Sequence, residues 1–207
     1  MRRFDGIGCL VTTAVIAATV SCDDVSRPVM TGQYATPDAT LHTLVKAIEA
    51  SSQPFAMGSY MGCFADSAVA GASAYHHDFD PSDVASLSAE CGCAPSTHWD
   101  IAREFRFYRA FVAHRPDVVY DAVFDPLYVP DPPPTSREAL LRRRYQLWAR
   151  IPGRGLTLLA IGHAYLILVR TPDGRWQIAR WEDHVDPEVG VRPGYATLGW
   201  RRLESTR

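Results

Sequence analysis

Apolar residues follow three rhythms along this chain, and each predicts a different kind of element. Ile7 to Val20 is an unbroken run of fourteen uncharged residues behind Met1-Arg2-Arg3. A membrane-spanning helix needs about 20 such residues, whereas ~7–15 is the core length of an export signal. Further on, Leu41, Leu44, Val45 and Ile48 recur at i, i+3, i+4 and i+7, the stripe of an amphipathic helix. Thr36-Pro37-Asp38 starts that helix with a capping hydroxyl, a proline suited to the first turn and an acid at the positive dipole end. Ser51-Ser52-Gln53-Pro54 ends it. A second short helix carries Phe55, Tyr60, Met61 and Phe64, closed by Asp66 before a brief strand near 68–72. Residues 73–97 read as irregular. Ile101, Phe105, Tyr108 and Val112 predict a third helix that starts at Ser96 or Thr97.

From Asp117 the period becomes two, the signature of strands with one buried face. Val118 to Phe124 and Leu127 to Val129 form a pair about an Asp125-Pro126 turn. Arg142 to Ile151 places Arg143, Tyr145, Leu147 and Ala149 on one face. Pro152-Gly153-Arg154-Gly155 turns into a long strand, Leu156 to Arg170. Thr171-Pro172-Asp173-Gly174 turns again into Trp176 to Asp183, its Asp-Gly pair being a strong hairpin signal. A short helix near Thr197 to Leu203 is expected to end the domain. Helices followed by an antiparallel meander make an α+β domain rather than alternating βαβ units.

Composition alters this picture little. Hydrophobic residues are 47% and charged residues 21% of the 207, ordinary for a globular domain. A net charge of −2 provides no basic field, which argues against nucleic acid as a partner.

The leader ends at Thr19-Val20-Ser21-Cys22-Asp23. This resembles the lipobox of bacterial lipoproteins, in which small residues precede a cysteine that is acylated and becomes the mature N-terminus. Residues 1–21 are then a signal peptide, 22–35 a flexible tether and 36–207 the domain. That implies export to the cell envelope and attachment to a membrane through the lipid on Cys22. The alternative is an ordinary secretory signal cleaved nearby, with Cys22 a plain thiol. Cys63, Cys91 and Cys93 would remain in an oxidising compartment. A bridge between Cys91 and Cys93 closes a very small ring, so Cys63 with one of the two is the expected disulfide. One Cys-x-Cys with scattered histidines is a poor match to a structural zinc site, and no metal or cofactor is expected.

Several stretches together resemble the NTF2-like (SnoaL-like) superfamily. They are Thr36 to Leu41, Tyr60 to Asp66, Gly162-His163-Ala164-Tyr165, Trp176-Gln177-Ile178-Ala179-Arg180-Trp181-Glu182-Asp183, and Thr197-Leu198-Gly199-Trp200. The resemblance spans about residues 36–203 and implies a half-open cone, with a curved antiparallel sheet wrapped around three N-terminal helices and an apolar pocket inside. It does not fix the activity, because this fold carries isomerases, dehydratases and pure binding modules.

Tyr60, Tyr145, His163, Tyr165 and Trp181 are the candidate pocket residues. His163 and Tyr165 are expected to share an inward face with Thr157, Leu159, Ile161, Ile167 and Val169, while Glu182 and Asp183 lie at the rim. The Arg142-Arg143-Arg144 run reads as a solvated edge. No catalytic residue is assigned, since no inward carboxylate is evident and no Gly-x-Ser-x-Gly elbow occurs. The expected function is therefore binding of a small apolar ligand or a protein partner, with homodimerisation through the outer sheet face compatible with an open pocket. The alternative is lyase or isomerase chemistry in the cone. A buried carboxylate beside a Tyr or His would favour that alternative.

Overall fold

The computed structural model describes residues 32–66, 74–110, 115, 117–189 and 196–205. The leader, Cys22, most of the tether and the brief strand expected near 68–72 lie outside the described residues. Helix α1 (Pro37–Glu49) begins where its capping chemistry puts it, with Thr36 Oγ1 accepting from the Ala39 N–H at 3.1 Å. Leu41, Leu44 and Ile48 are buried on its inner face. Helix α2 (Ala56–Gly62) follows the Ser51–Pro54 break.

The stretch expected to be irregular contains β1 (His76–Asp78) and α3 (Pro81–Cys91). Asp80 caps α3 by accepting from the Ser82 N–H at 2.8 Å, and Pro81 occupies the first turn. The same cap-then-proline signal as at Thr36 was present, but α3 is weakly apolar and buries only Asp83 and Leu87. Helix α4 (Ile101–Tyr108) starts later than expected because Asp100, not Ser96 or Thr97, caps it, accepting from the Arg103 N–H at 2.9 Å. Its buried face is Glu104, Phe107 and Tyr108, rotated away from the expected Ile101–Phe105–Tyr108 stripe; Phe105 is exposed.

Strands β2 (Val119–Pro126), β3 (Glu138–Ile151), β4 (Gly155–Arg170) and β5 (Trp176–His184) join β1 in one sheet of order β1-β5-β4-β3-β2. The three consecutive strands β3, β4 and β5 are antiparallel, as their alternation predicts, and β1 adds parallel to β5. Asp125-Pro126 is not a turn. Both residues continue β2, pairing with Arg144 and Arg143. Proline is tolerated there because β2 is an edge strand. That pairing also makes β3 an interior strand, so the arginine run is not a solvated edge. Arg143 is buried, donating to Asp131 at 2.6 Å and to Asp38 of α1 at 3.1 Å. Helix α5 (Leu198–Glu204), capped by Thr197, closes the described chain and lies against α3 and β4.

Two bulges decide which side chains enter the core. Leu147 pairs with Ala160 but Trp148 with Leu158, leaving Leu159 extra on β4. Ile167 pairs with Arg180 but Leu168 with Ile178, leaving Ala179 extra on β5. Each bulge reverses the in–out parity of the strand beyond it.

Candidate functional site

The parity change on β4 moves Gly162, Ala164, Leu166 and Leu168 to the inner face and puts His163, Tyr165, Ile167 and Val169 outside. The expected inward row is thus split, with Thr157 and His163 on opposite faces although six residues apart. On β5 the bulge turns Ile178, Trp181 and Asp183 inward together. Asp183 is consequently 1% exposed and not at the rim. Tyr145 on β3 lies opposite Gly162 of β4 and reaches across it to Asp183 of β5. A Cβ at Gly162 would stand 2.6 Å from the Tyr145 hydroxyl and 2.8 Å from the His184 carbonyl. Only glycine leaves room for that crossing.

Glu104 of α4 joins Asp183 as a carboxylate buried inside the cone. Glu104 is 0% exposed and is surrounded by donors. It accepts from Tyr60 Oη at 2.5 Å, Trp99 Nε1 at 2.7 Å, Tyr75 Oη at 3.2 Å, Arg202 Nη2 at 2.8 Å and Arg202 Nε at 2.9 Å. Arg202 comes from α5 and is itself fully buried, its guanidinium 4.5 Å over the Trp181 ring and 5.2 Å from that of Phe107. Burial alone would favour a neutral acid. The Arg202 charge and the convergent donors outweigh it and hold the Glu104 carboxyl below its usual range. Burial, reinforced by the Glu104 charge, pushes the Tyr60 and Tyr75 phenols far up, so both remain donors.

Asp183 is bonded differently. Its Oδ1 accepts from the Tyr145 hydroxyl at 2.7 Å and its Oδ2 from the Gly199 N–H, while the Leu198 N–H donates to the Tyr145 oxygen at 2.8 Å. Its burial, with some help from the Asp83 charge, raises it to about 7 despite those bonds and Arg202. Asp83, which is bonded to the Thr197 hydroxyl, is raised by burial to about 6. His77 is buried beside Phe79 and Trp181, and neither of its ring nitrogens has a hydrogen-bond partner among the described residues. Burial pushes it well below its usual range, so it is neutral. This pair of clusters includes Tyr60, Tyr145 and Trp181 from the sequence reading and adds Glu104, Asp183, Asp83, His77 and Arg202. Glu104 at i with Phe107 and Tyr108 at i+3 and i+4 was a signal of an inward acid. Nothing near Arg202 in sequence marked it as its partner.

His163 and Tyr165 do not join this interior. They are half-buried on the outer sheet face, where the Tyr165 ring lies 4.7 Å from that of His184. The expected disulfide also fails: Cys91 and Cys93 bridge each other across a Cα separation of 5.2 Å, and Cys63 is a free thiol. Cys63 is fully buried beneath α1, its sulfur 3.6 Å from the Thr40 carbonyl, while Cys91 and Cys93 lie on the exterior at the end of α3. Burial raises the Cys63 thiol far above its usual value.

Surface cavities flank the helices among the described residues. One of about 460 Å³ lies between α1 and the chain around α2 and is lined by Gln33, His42, Lys46, Phe55 and Ser59, among others. A second of about 420 Å³ separates α1 from β2, and a third of about 310 Å³ borders α4 near Trp99 and Arg106. None of the three is lined by Glu104, Asp183, Tyr145 or His77.

No protein-family model matches the chain, and no curated protein matches it. Solved structures do. Rv3472, a protein of unknown function from Mycobacterium tuberculosis, is similar over 81% of this chain and 82% of its own, at 16% identity and a TM-score of 0.50. A ketosteroid isomerase-like protein from Erwinia carotovora is similar over 76% of this chain and 99% of its own, at 12% identity and a TM-score of 0.47. An NTF-2 like protein of unknown function from Shewanella oneidensis is similar over 72% and 98%, at 12% identity and a TM-score of 0.43. Identities this low speak to architecture alone. With its curved, unclosed five-stranded sheet and the helices against it, the chain has an NTF2-like α+β fold.

Proposed function

We propose that this chain is an exported lipoprotein, held at a membrane through Cys22, whose domain binds an apolar ligand or a protein partner without turning it over. The observation that carries the binding-only part is the state of Glu104. It stands beside Tyr60, the arrangement that would favour acid–base chemistry, but its oxygens already take five hydrogen bonds, two of them from Arg202. A general base needs a free lone pair within reach of substrate. An ionised carboxylate clamped by a guanidinium inside the core has none. The available concave surface lies outside the cone, along α1.

A second reading, lyase or isomerase chemistry inside the cone, is favoured by Asp183. A buried acid raised to about 7 and bonded to a tyrosine has the proton affinity that acid–base catalysis at neutral pH requires. It would need the interior to open, since Asp183 and Tyr145 are both sealed.

Amide chemical shifts during titration with anilinonaphthalene sulfonate, an anionic probe with an apolar aromatic body, separate the readings. Binding outside the cone moves the amides of α1 and Phe55 and leaves those of Tyr145, Asp183 and Gly199 in place. Shifts centred on Asp183 would transfer the case to the second reading. Intact mass and detergent-phase partition of the protein from membranes test the anchor, with Cys22→Ser as the unlipidated standard.

A further inference from the structure

We infer that the groove between α1 and α2 is the face on which the anchored domain rests against the bilayer, with Phe55 as the side chain that enters it. This rests on the lipoprotein reading above and names the partner of that groove. The chain enters the fold at the groove wall and is fixed there. Thr43 Oγ1 donates to the Gln33 carbonyl at 2.8 Å, Tyr34 Oη donates to the Ser59 carbonyl at 3.1 Å, and the Trp176 N–H donates to the Tyr34 carbonyl at 2.8 Å. Gly32 and Gln33 themselves line the cavity.

Ten residue steps separate Cys22 from Gly32. Fully extended they reach about 35 Å, and as a flexible coil roughly 17 Å. A lipid on Cys22 therefore keeps this face close to the membrane. The Gly153–Arg154 turn, by contrast, lies at the opposite end of β4 from the hairpin into Trp176. Confinement of that kind raises the effective concentration of a weak contact enough to populate it.

The chemistry at the groove suits a bilayer interface. Phe55 is 62% exposed at the end of the polar Ser51–Pro54 loop, and a phenyl ring gains by entering the boundary between headgroups and acyl chains. Lys46, the single lysine of the chain, borders the groove with its ammonium 2.6 Å from Glu49. Its charge is thus balanced locally, and the contact is apolar rather than electrostatic. It should hold on zwitterionic lipid and change little with salt.

The test uses the lipidated full chain, reconstituted in phosphatidylcholine vesicles that carry nitroxide quencher lipids. A fluorophore is placed on Ser52→Cys or, as control, on Arg154→Cys; the buried Cys63 and the bridged Cys91 and Cys93 do not compete. The expected result is quenching several-fold stronger at position 52 than at 154, unchanged between low and high salt. Adding Phe55→Ser should reduce it to the level at 154, and that exposed position leaves folding intact. Equal quenching at the two sites, or quenching indifferent to Phe55→Ser, overturns the proposal. So does a label at 52 that is shielded equally in detergent and in vesicles, which would put the tether in the groove. The intact mass read alongside distinguishes the two levels. A lipidated protein without contact sinks this inference alone, whereas an unlipidated mass sinks the anchor and this inference with it.

Discussion

Glu104 and Asp183 are equally buried, and they titrate in opposite directions. Both sit in the cone, both accept from a tyrosine, and Arg202 acts electrostatically on each. Glu104 has the guanidinium in direct two-pronged contact and is held ionised. Asp183 has a phenol and a backbone amide and is raised to about 7. Burial pushes every carboxylate up. What distinguishes these two is whether a full opposite charge lies within hydrogen-bonding distance. The contrast gives each a separate role: Glu104 ties α5 to α4, while Asp183, with Asp83 beside it, is an interior group whose charge changes near neutral pH.

The largest expected effect comes from breaking the first cluster on one side. Arg202→Met leaves Glu104 buried and unpaired, which should cost about 3–5 kcal/mol in urea unfolding. Adding Glu104→Leu should restore only part of that loss, because the apolar pair needs no counter-charge but leaves the Tyr60, Tyr75 and Trp99 donors buried without an acceptor. If Arg202→Met alone cost less than about 1 kcal/mol, the pair would not be the link between α4 and α5.

Asp183 should give a pH slope of the opposite sign to that of Glu104. Because its folded value is raised, its contribution to stability is full at low pH and is lost as pH rises from about 4 to about 7. The difference amounts to something on the order of 4 kcal/mol. Subtracting the stability curve of Asp183→Asn from that of the parent chain should reveal this fall, flat above pH 7. Glu104→Gln, treated the same way, should show a contribution present at neutral pH and lost on acidification, since the Glu104 carboxyl is lowered.

Tyr60→Phe removes one of the donors to an ionised group and should cost about 2 kcal/mol at neutral pH. Chemical denaturation at pH 7 measures it directly. A cost near zero would mean that the Arg202 fork alone sustains the Glu104 charge.

The smallest effect marks a region outside both clusters. Cys91 and Cys93 are two positions apart, so their bridge constrains little of the unfolded chain. Cys91→Ser should cost under ~2 kcal/mol, less than the ~3 kcal/mol a long-range Cys63 bridge would have supplied. Thermal unfolding of the variant with and without reductant checks this.

Much of the scaffold was legible because its signals are local. Thr36-Pro37-Asp38 and Thr197 start helices where their capping chemistry predicts, and the turns at 152–155 and 171–174 join the strands that alternation predicts. Helix α3 escapes a reading by periodicity although Asp80-Pro81 announces it, since its apolar stripe is too thin to show. Ring size points away from a Cys91–Cys93 bridge, but place decides the pairing: Cys63 is sealed in the core beneath α1, whereas Cys91 and Cys93 lie at the exterior end of α3.

The sequence by itself determined the α+β class, the order of the β3–β5 meander and the starts of α1 and α5, since capping, turn chemistry and period-two alternation act over a few residues. Tertiary structure decided which face of each strand is the inside. One extra residue, Leu159 on β4 and Ala179 on β5, inverts everything beyond it, sending His163 and Tyr165 outward and bringing Asp183 in. It also decided that Glu104 stays charged, because the arginine that makes this possible lies 98 residues away in the chain and 2.8 Å away in space.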